Sequence, residues 1–328
     1  MVCQEDPLIR TICELHAKIS SLETLSPCKD VNNLFTQLVL TCIPPHPIEV
    51  DSLCSKVQEI RSDLIRLCGE AEGLLESHFS SLLASFDHPL DHLHLFPYYN
   101  NYLKLARLEF DLLSQHLTCG APARVAFVGS GPLPLTTLVL AANHLNDTVF
   151  HNYDIDPSAN SKALRLVLPD PDLSKRVLFH TDDIMNVTTA LGDYDVVFLA
   201  ALVGMAEEEK VRVIAHLANH MAPGAILVVR SAHGARAFLY PVIDPSDLRG
   251  FEFLSVFHPT DDVINSVIIA RKYMNLNDSI PIVHDIVTTM KKKLPLATKK
   301  CCEIQPFLDP LNPCGNIAED LAIEEKSS

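Results

Sequence analysis

A short apolar run, Val125-Ala-Phe-Val128, breaks into Gly129-Ser-Gly-Pro-Leu-Pro134 and then opens an apolar, helix-like segment from Leu135 to Leu145. Strand, Gly-x-Gly turn and helix in that order form a nucleotide-handling crossover. The glycines let the backbone pass close to a ligand where a Cβ would clash, and the helix start presents unpaired N–H groups. One such turn is a weak signal, because any tight strand-to-helix turn favours glycine, but the spacing downstream adds to it. Val149-Phe-His-Asn-Tyr-Asp154 reads as a second strand ending in an acid, where a carboxylate takes a ribose diol. Leu133 and Pro134 stand where the dinucleotide fingerprint has its third glycine, which disfavours a pyrophosphate cradle. A ligand with a ribose and no diphosphate follows, and S-adenosylmethionine is the candidate.

The sequence around this crossover divides by period. Helical spacing governs residues 1–120. Asp6-Pro7 opens a first helix, a second runs near Val31 to Cys42, and a third stretch begins near Ile48 and passes Gly69 and Gly73 as one long helix or two. Pro97 opens a fourth, Tyr98 to Leu117. From residue 121 strand-like runs at 124–129, 149–155, 177–181, 194–202, 224–232, 251–257 and 263–271 alternate with helices at 134–145, 157–168 and 207–221. Only His258-Pro-Thr-Asp-Asp262 joins the last two strands, which suits a hairpin. Five parallel strands and a closing antiparallel hairpin give an α/β fold, a Rossmann-like class I methyltransferase-type sheet over 121–272 behind an all-helical N-terminal domain. Residues 273–328, rich in proline and lysine, read as a disordered tail whose Lys291-Lys-Lys293 and Lys299-Lys300 clusters are solvated.

Composition excludes several classes. A net charge of −15 argues against nucleic acid, which is bound by neutralising phosphates with Lys and Arg. No apolar run approaches the ~20 residues of a membrane span. Ten scattered cysteines form no Cys-x-x-Cys pair, which reads as free thiols in a reducing compartment. Met-Val-Cys-Gln-Glu-Asp-Pro7 is not a basic segment followed by an apolar one, so a cytoplasmic location is expected.

In the sheet, Gly129, Ser130, Gly131 and Pro132 would pass beneath the methionine part of the nucleoside, Asp154 would accept from the ribose, and Ile155 would lie against the adenine. Asp156, before a proline and a helix, reads as an N-cap. Of Asp182 and Asp183, which end the third strand, one would accept from the adenine amino group while the other caps a helix, with Asp182 preferred. Arg230-Ser-Ala-His233-Gly-Ala-Arg236 lies at the carboxyl end of the fifth strand, where such folds bind ligands. Arg230, His233 and Arg236 are therefore candidates for holding a substrate carboxylate, against a surface salt bridge as the plain reading of Arg236. Glu76 taken alone is a solvated helix glutamate. Buried, it would have a raised pKa and suit proton removal from an ammonium group. Tyr98 and Tyr102, four apart, would share a helix face or form an aromatic seam. No Asn-Pro-Pro-Tyr type motif follows the fourth strand, where the chain reads Ala200-Ala-Leu-Val-Gly-Met205. That weakens the alternative of a small-molecule methyltransferase.

Five strings together resemble the plant nicotianamine synthases: Leu67-Cys-Gly-Glu-Ala-Glu-Gly-Leu-Leu-Glu-Ser-His-Phe79, Phe96-Pro-Tyr-Tyr-Asn-Asn-Tyr102, Phe127-Val-Gly-Ser-Gly-Pro-Leu-Pro-Leu135, Asn152-Tyr-Asp-Ile-Asp-Pro-Ser-Ala-Asn160 and Val229-Arg-Ser-Ala-His-Gly-Ala-Arg-Ala-Phe-Leu-Tyr-Pro241. The resemblance covers roughly residues 1–275. It implies an enzyme that condenses three S-adenosylmethionine molecules into a metal chelator and releases three methylthioadenosines. It further implies that Glu76 is the base, that Tyr102 and Tyr98 lie beside the reacting amine, and that the reaction needs no metal. The helical domain would then cover the carboxyl edge of the sheet.

Overall fold

The computed structural model describes residues 6–118 and 120–274. The expectations for residues 275–328, and those for Cys3, Cys119 and the three tail cysteines, lie outside them. The described residues up to Met274 belong to one compact unit. The strands are β1 (Arg124–Val128), β2 (Val149–Asp154), β3 (Val177–Thr181), β4 (Val196–Leu199), β5 (Ile226–Ser231), β6 (Phe251–Phe257) and β7 (Ser266–Lys272). They form one sheet in the order β3-β2-β1-β4-β5-β7-β6, with β7 antiparallel to β5 and to β6 and the other pairs parallel. The order reverses between β1 and β4, which opens a crevice at the carboxyl ends of the strands. The α/β fold expected from the sequence is the fold of the chain.

The helices are α1 (Pro7–Ser20), α2 (Lys29–Cys42), α3 (Ser55–Leu83), α4 (Tyr99–Ser114), α5 (Leu135–Asn143), α6 (Pro157–Val167), α7 (Leu173–Arg176) and α8 (Glu207–His220). Alternation along the strands sorts the core into two layers. Val125 and Phe127 of β1 face α4 and α5, while Ala126 and Val128 face α8. Parallel strands buried on both faces need this cover, and it explains why β1, β4 and β5 read as unbroken apolar runs.

Helix α3 joins the two halves of the molecule. Its 29 residues span about 43 Å at the standard rise per residue. Val57, Leu64, Leu67 and Ala71 pack with α1 and α2 in one apolar cluster. Phe79 and Leu83 belong to the cluster under the sheet. The stretch between them carries Glu72, Gly73 and Glu76.

Two local expectations are corrected. Residues 50–52 form a single 3-10 turn, and Leu53 and Cys54 are extended, so α3 begins at Ser55 and then runs unbroken through both glycines. Residues 263–265 do not extend the last strand. Val263 and Ile264 are drawn into two different apolar clusters, and Asp262 is held by Lys104 and by the Asn101 amide, so ladder pairing starts only at Ser266.

Candidate active site

A cavity of about 1090 Å³ lies at the carboxyl ends of the central strands. Its sheet wall contains Gly129, Ser130, Gly131, Pro132, Asp154, Ile155, Asp182 and Asp183. Gly129 and Gly131 adopt φ of 80° and 66°, conformations that side chains disfavour. Space constrains them as well: a Cβ on Gly129 would strike Val203, and one on Gly131 would come within 2.8 Å of Glu76 Oε2. Part of the glycine requirement is therefore set by protein packing, including the approach of α3 itself. Asp154 is fixed by its own backbone, accepting from Gly131 N–H at 2.8 Å and from Asp156 N–H at 2.9 Å. Asp156 caps α6 through Ser158 N–H, and Asp183 caps the turn 184–186 through Met185 N–H. Asp182 is thus the acid of its pair left without a capping duty. Ile155 is 73% exposed and offers a flat apolar surface at the rim.

The opposite wall comes from α3, α4 and the segment after β5. Tyr102 O–H lies 3.1 Å from Glu76 Oε1 and 3.3 Å from Glu72 Oε1. Tyr240 O–H donates to Glu72 Oε2 at 2.9 Å. Burial pushes the Glu76 carboxyl well above the usual glutamate value, and the neighbouring Glu72 and Asp154 charges push the same way. Glu72 is also raised by burial, against hydrogen bonds from Tyr240 and Tyr102 that favour its ionised form. Burial, then the two carboxylates, holds the Tyr102 phenol well above its ordinary range, so it stays a hydrogen-bond donor.

Arg230 lines the cavity, and two of its three guanidinium nitrogens are committed. Nε and Nη2 donate to the two oxygens of Glu109 at 2.7 and 3.0 Å, and Nη2 also reaches Thr136 Oγ1 at 2.5 Å. Glu109 is fully buried, so this two-pronged pair is a fixed element of the wall. Two buried side-chain atoms of the lining have no protein partner, Ser130 Oγ and Asn265 Nδ2. Such atoms cost about 1–3 kcal/mol when unsatisfied.

The structure separates three sequence candidates from the cavity. Arg236 is buried, and its guanidinium is captured by the carbonyls of Pro259, Ile43 and Asp261, so it ties loops together instead of holding a ligand. His233 is exposed and stacks on His258 with ring centroids 4.0 Å apart. Tyr98 occupies the N-cap position before α4 and packs with Tyr102 on the Phe96 ring, an aromatic seam, without reaching the cavity lining. Three cavity residues went unread in the sequence. Glu72 was visible as the position one turn before Glu76 on the same helix. Tyr240 and Asn265 come from segments that only the tertiary fold brings near.

The family model described as nicotianamine synthase protein matches residues 3–277. A tomato (Solanum lycopersicum) protein named nicotianamine synthase is 60% identical over 327 residues, covering 99% of this chain and 100% of its own. An Arabidopsis thaliana protein named probable nicotianamine synthase 4 is 64% identical over 285 residues, 86% of this chain and 87% of that one. Among solved structures, MtNAS in complex with MTA and tNA has a TM-score of 0.67 at 21% identity, covering 83% of this chain and 99% of that one, a likeness of fold.

Proposed function

The chain belongs to the nicotianamine synthase family, and with that as premise we propose how its residues divide the work. The enzyme condenses three S-adenosylmethionine molecules into nicotianamine by successive 3-amino-3-carboxypropyl transfers and an azetidine closure, releasing three 5'-methylthioadenosines. In each transfer an amine lone pair attacks the Cγ carbon beside a sulfonium. The C–N bond forms, the C–S bond breaks with its electrons going to sulfur, and neutral methylthioadenosine leaves. The attacking amine must first lose a proton.

Glu76 takes that proton. The observation that carries this role is its placement: a buried carboxylate at hydrogen-bond distance from Tyr102, against the Gly131 turn that lies beside Asp154. Burial raises its proton affinity and so strengthens it as a base. Asp154 holds the ribose diol, Ile155 lies against the adenine, Asp182 accepts from its amino group, and Gly129 to Pro132 underlie the methionine part. Ser130 Oγ and Asn265 Nδ2 are the buried polar atoms that a bound substrate would satisfy. Positioning supplies most of the rate, since methylthioadenosine is already a good leaving group.

Residues 1–120 act as a helical cover and 121–272 as the nucleoside-binding domain. The reaction proceeds without a metal, and the product serves the handling of iron and other transition metals. Among the described residues no helix is long and apolar enough to cross a membrane, and we place the enzyme in the cytoplasm.

The test is a product assay on purified protein given only S-adenosylmethionine, repeated with Glu76→Gln. Methylthioadenosine and nicotianamine near three to one, with both lost in the variant, are expected. A requirement for an added acceptor, with adenosylhomocysteine as product, would mean methyl transfer instead.

A further inference from the structure

The base proposed above is one of two carboxylates. Glu72 and Glu76 are four residues apart on α3, which puts their Cβ atoms about 5–6 Å apart on one face. Both line the cavity, and both lie within 3.3 Å of the Tyr102 hydroxyl. That hydroxyl has a single proton and donates to one of them at a time. Tyr240 fixes the far oxygen of Glu72. The Arg230 charge favours the ionised form of both, but two of its three nitrogens are spent on Glu109, so it forms no ion pair with either. This wall therefore offers two carboxyl groups at a fixed separation.

The product under construction has a matching repeat. Each aminocarboxypropyl unit places a new nitrogen three carbons from the last, an extended N-to-N span of about 5 Å from standard bond lengths. After the first transfer the chain carries two amines at that spacing, and a protonated amine is the natural partner of a carboxylate in a partly buried wall.

We propose that Glu72 holds the amine of the growing chain one unit away from the nitrogen that Glu76 deprotonates, and so retains the intermediate between condensations. This rests on the proposed function. Glu72 touches the intermediate at a nitrogen that is not reacting, so it governs completion of the product more than the speed of the first bond. The proton balance is unchanged: Glu76 still takes one proton for each C–N bond formed, and Glu72, paired with a protonated amine that is not reacting, takes none.

The experiment is mass-spectrometric quantification of all products from S-adenosylmethionine by wild type, Glu72→Gln and Tyr240→Phe. Glutamine is nearly isosteric and can still accept from both tyrosines. In Glu72→Gln, methylthioadenosine release is expected to stay within about tenfold of wild type. The methylthioadenosine-to-nicotianamine ratio should rise well above three, with the one-bond condensation product free in solution. Tyr240→Phe removes only the hydrogen bond that orients Glu72, and should shift the ratio the same way by less. It also carries the test if the first variant does not fold. A ratio held at three in both variants would overturn the proposal. So would loss of all product in Glu72→Gln with S-adenosylmethionine binding intact, which would make Glu72 part of the base. Adenosylhomocysteine from the wild type would instead overturn the function reading itself.

Discussion

The two walls of the cavity are built on opposite plans. On the sheet wall the carboxylate is fastened by backbone: Asp154 accepts from two main-chain amides whose positions follow from a strand end and a glycine turn. On the helical wall the polar groups fasten one another, Tyr102 to Glu72 and Glu76, and Tyr240 to Glu72. Under the proposed function the first plan would give a rigid seat for a constant group, the nucleoside. The second would give groups whose partners can change as successive amines pass, at the cost of holding carboxylates where burial disfavours their charge.

Breaking the helical wall should have the largest effect. Glu76→Gln should lower the steady-state rate by about 10²–10⁴-fold, the usual contribution of a positioned base, while S-adenosylmethionine binding measured by calorimetry changes little. Comparable weakening of binding and rate would erase the distinction between the walls. Next is the anchor beneath both. Glu109→Gln leaves Arg230 buried without its ion partner and should cost about 3–5 kcal/mol in urea unfolding. Asp154→Asn tests the sheet wall. A lost charged hydrogen bond is worth about 1.5–3 kcal/mol, so affinity should fall roughly 10- to 100-fold. The rate at saturation should be largely retained.

What the sequence disclosed follows the same division. The sheet wall was legible because its parts are local: strand, turn and acid recur at fixed spacing, and Asp154, Ile155 and the glycines line the cavity where that spacing put them. The helical wall is assembled from α3, α4 and Tyr240, a residue 168 positions from the Glu72 it holds. No periodic signal links such segments. Arg236 and His233 were misplaced for a related reason. The turn after β5 drops Arg236 among the carbonyls of Pro259, Asp261 and Ile43, and those contacts depend on where two other loops run.

Two smaller effects sharpen the contrast. The Glu76 carboxyl is raised in the folded state, so its contribution to stability is fully present below the unfolded value near pH 4.5 and is lost as pH rises through the folded value. Glu76→Gln should therefore melt higher than wild type at pH 7.5, with the gap closing toward pH 4.5. A gap independent of pH would point to packing. Smallest is Gly73→Ala. A Cβ there meets no atom within 4 Å, so the exchange should stabilise α3 by up to about 1 kcal/mol in chemical unfolding. The added methyl faces the cavity, and the saturated rate should fall.

Helix α3 also acts as an indexing rod. One end is keyed to α1 and α2 and the other to the sheet, and the Glu72 and Glu76 side chains point where those two keys agree. Adding or deleting one residue between Ala71 and Phe79 turns one end by about 100° relative to the other. Either the cover unseats or the carboxylates swing off the cavity. The length of this stretch is as fixed a requirement as the identity of its two carboxylates.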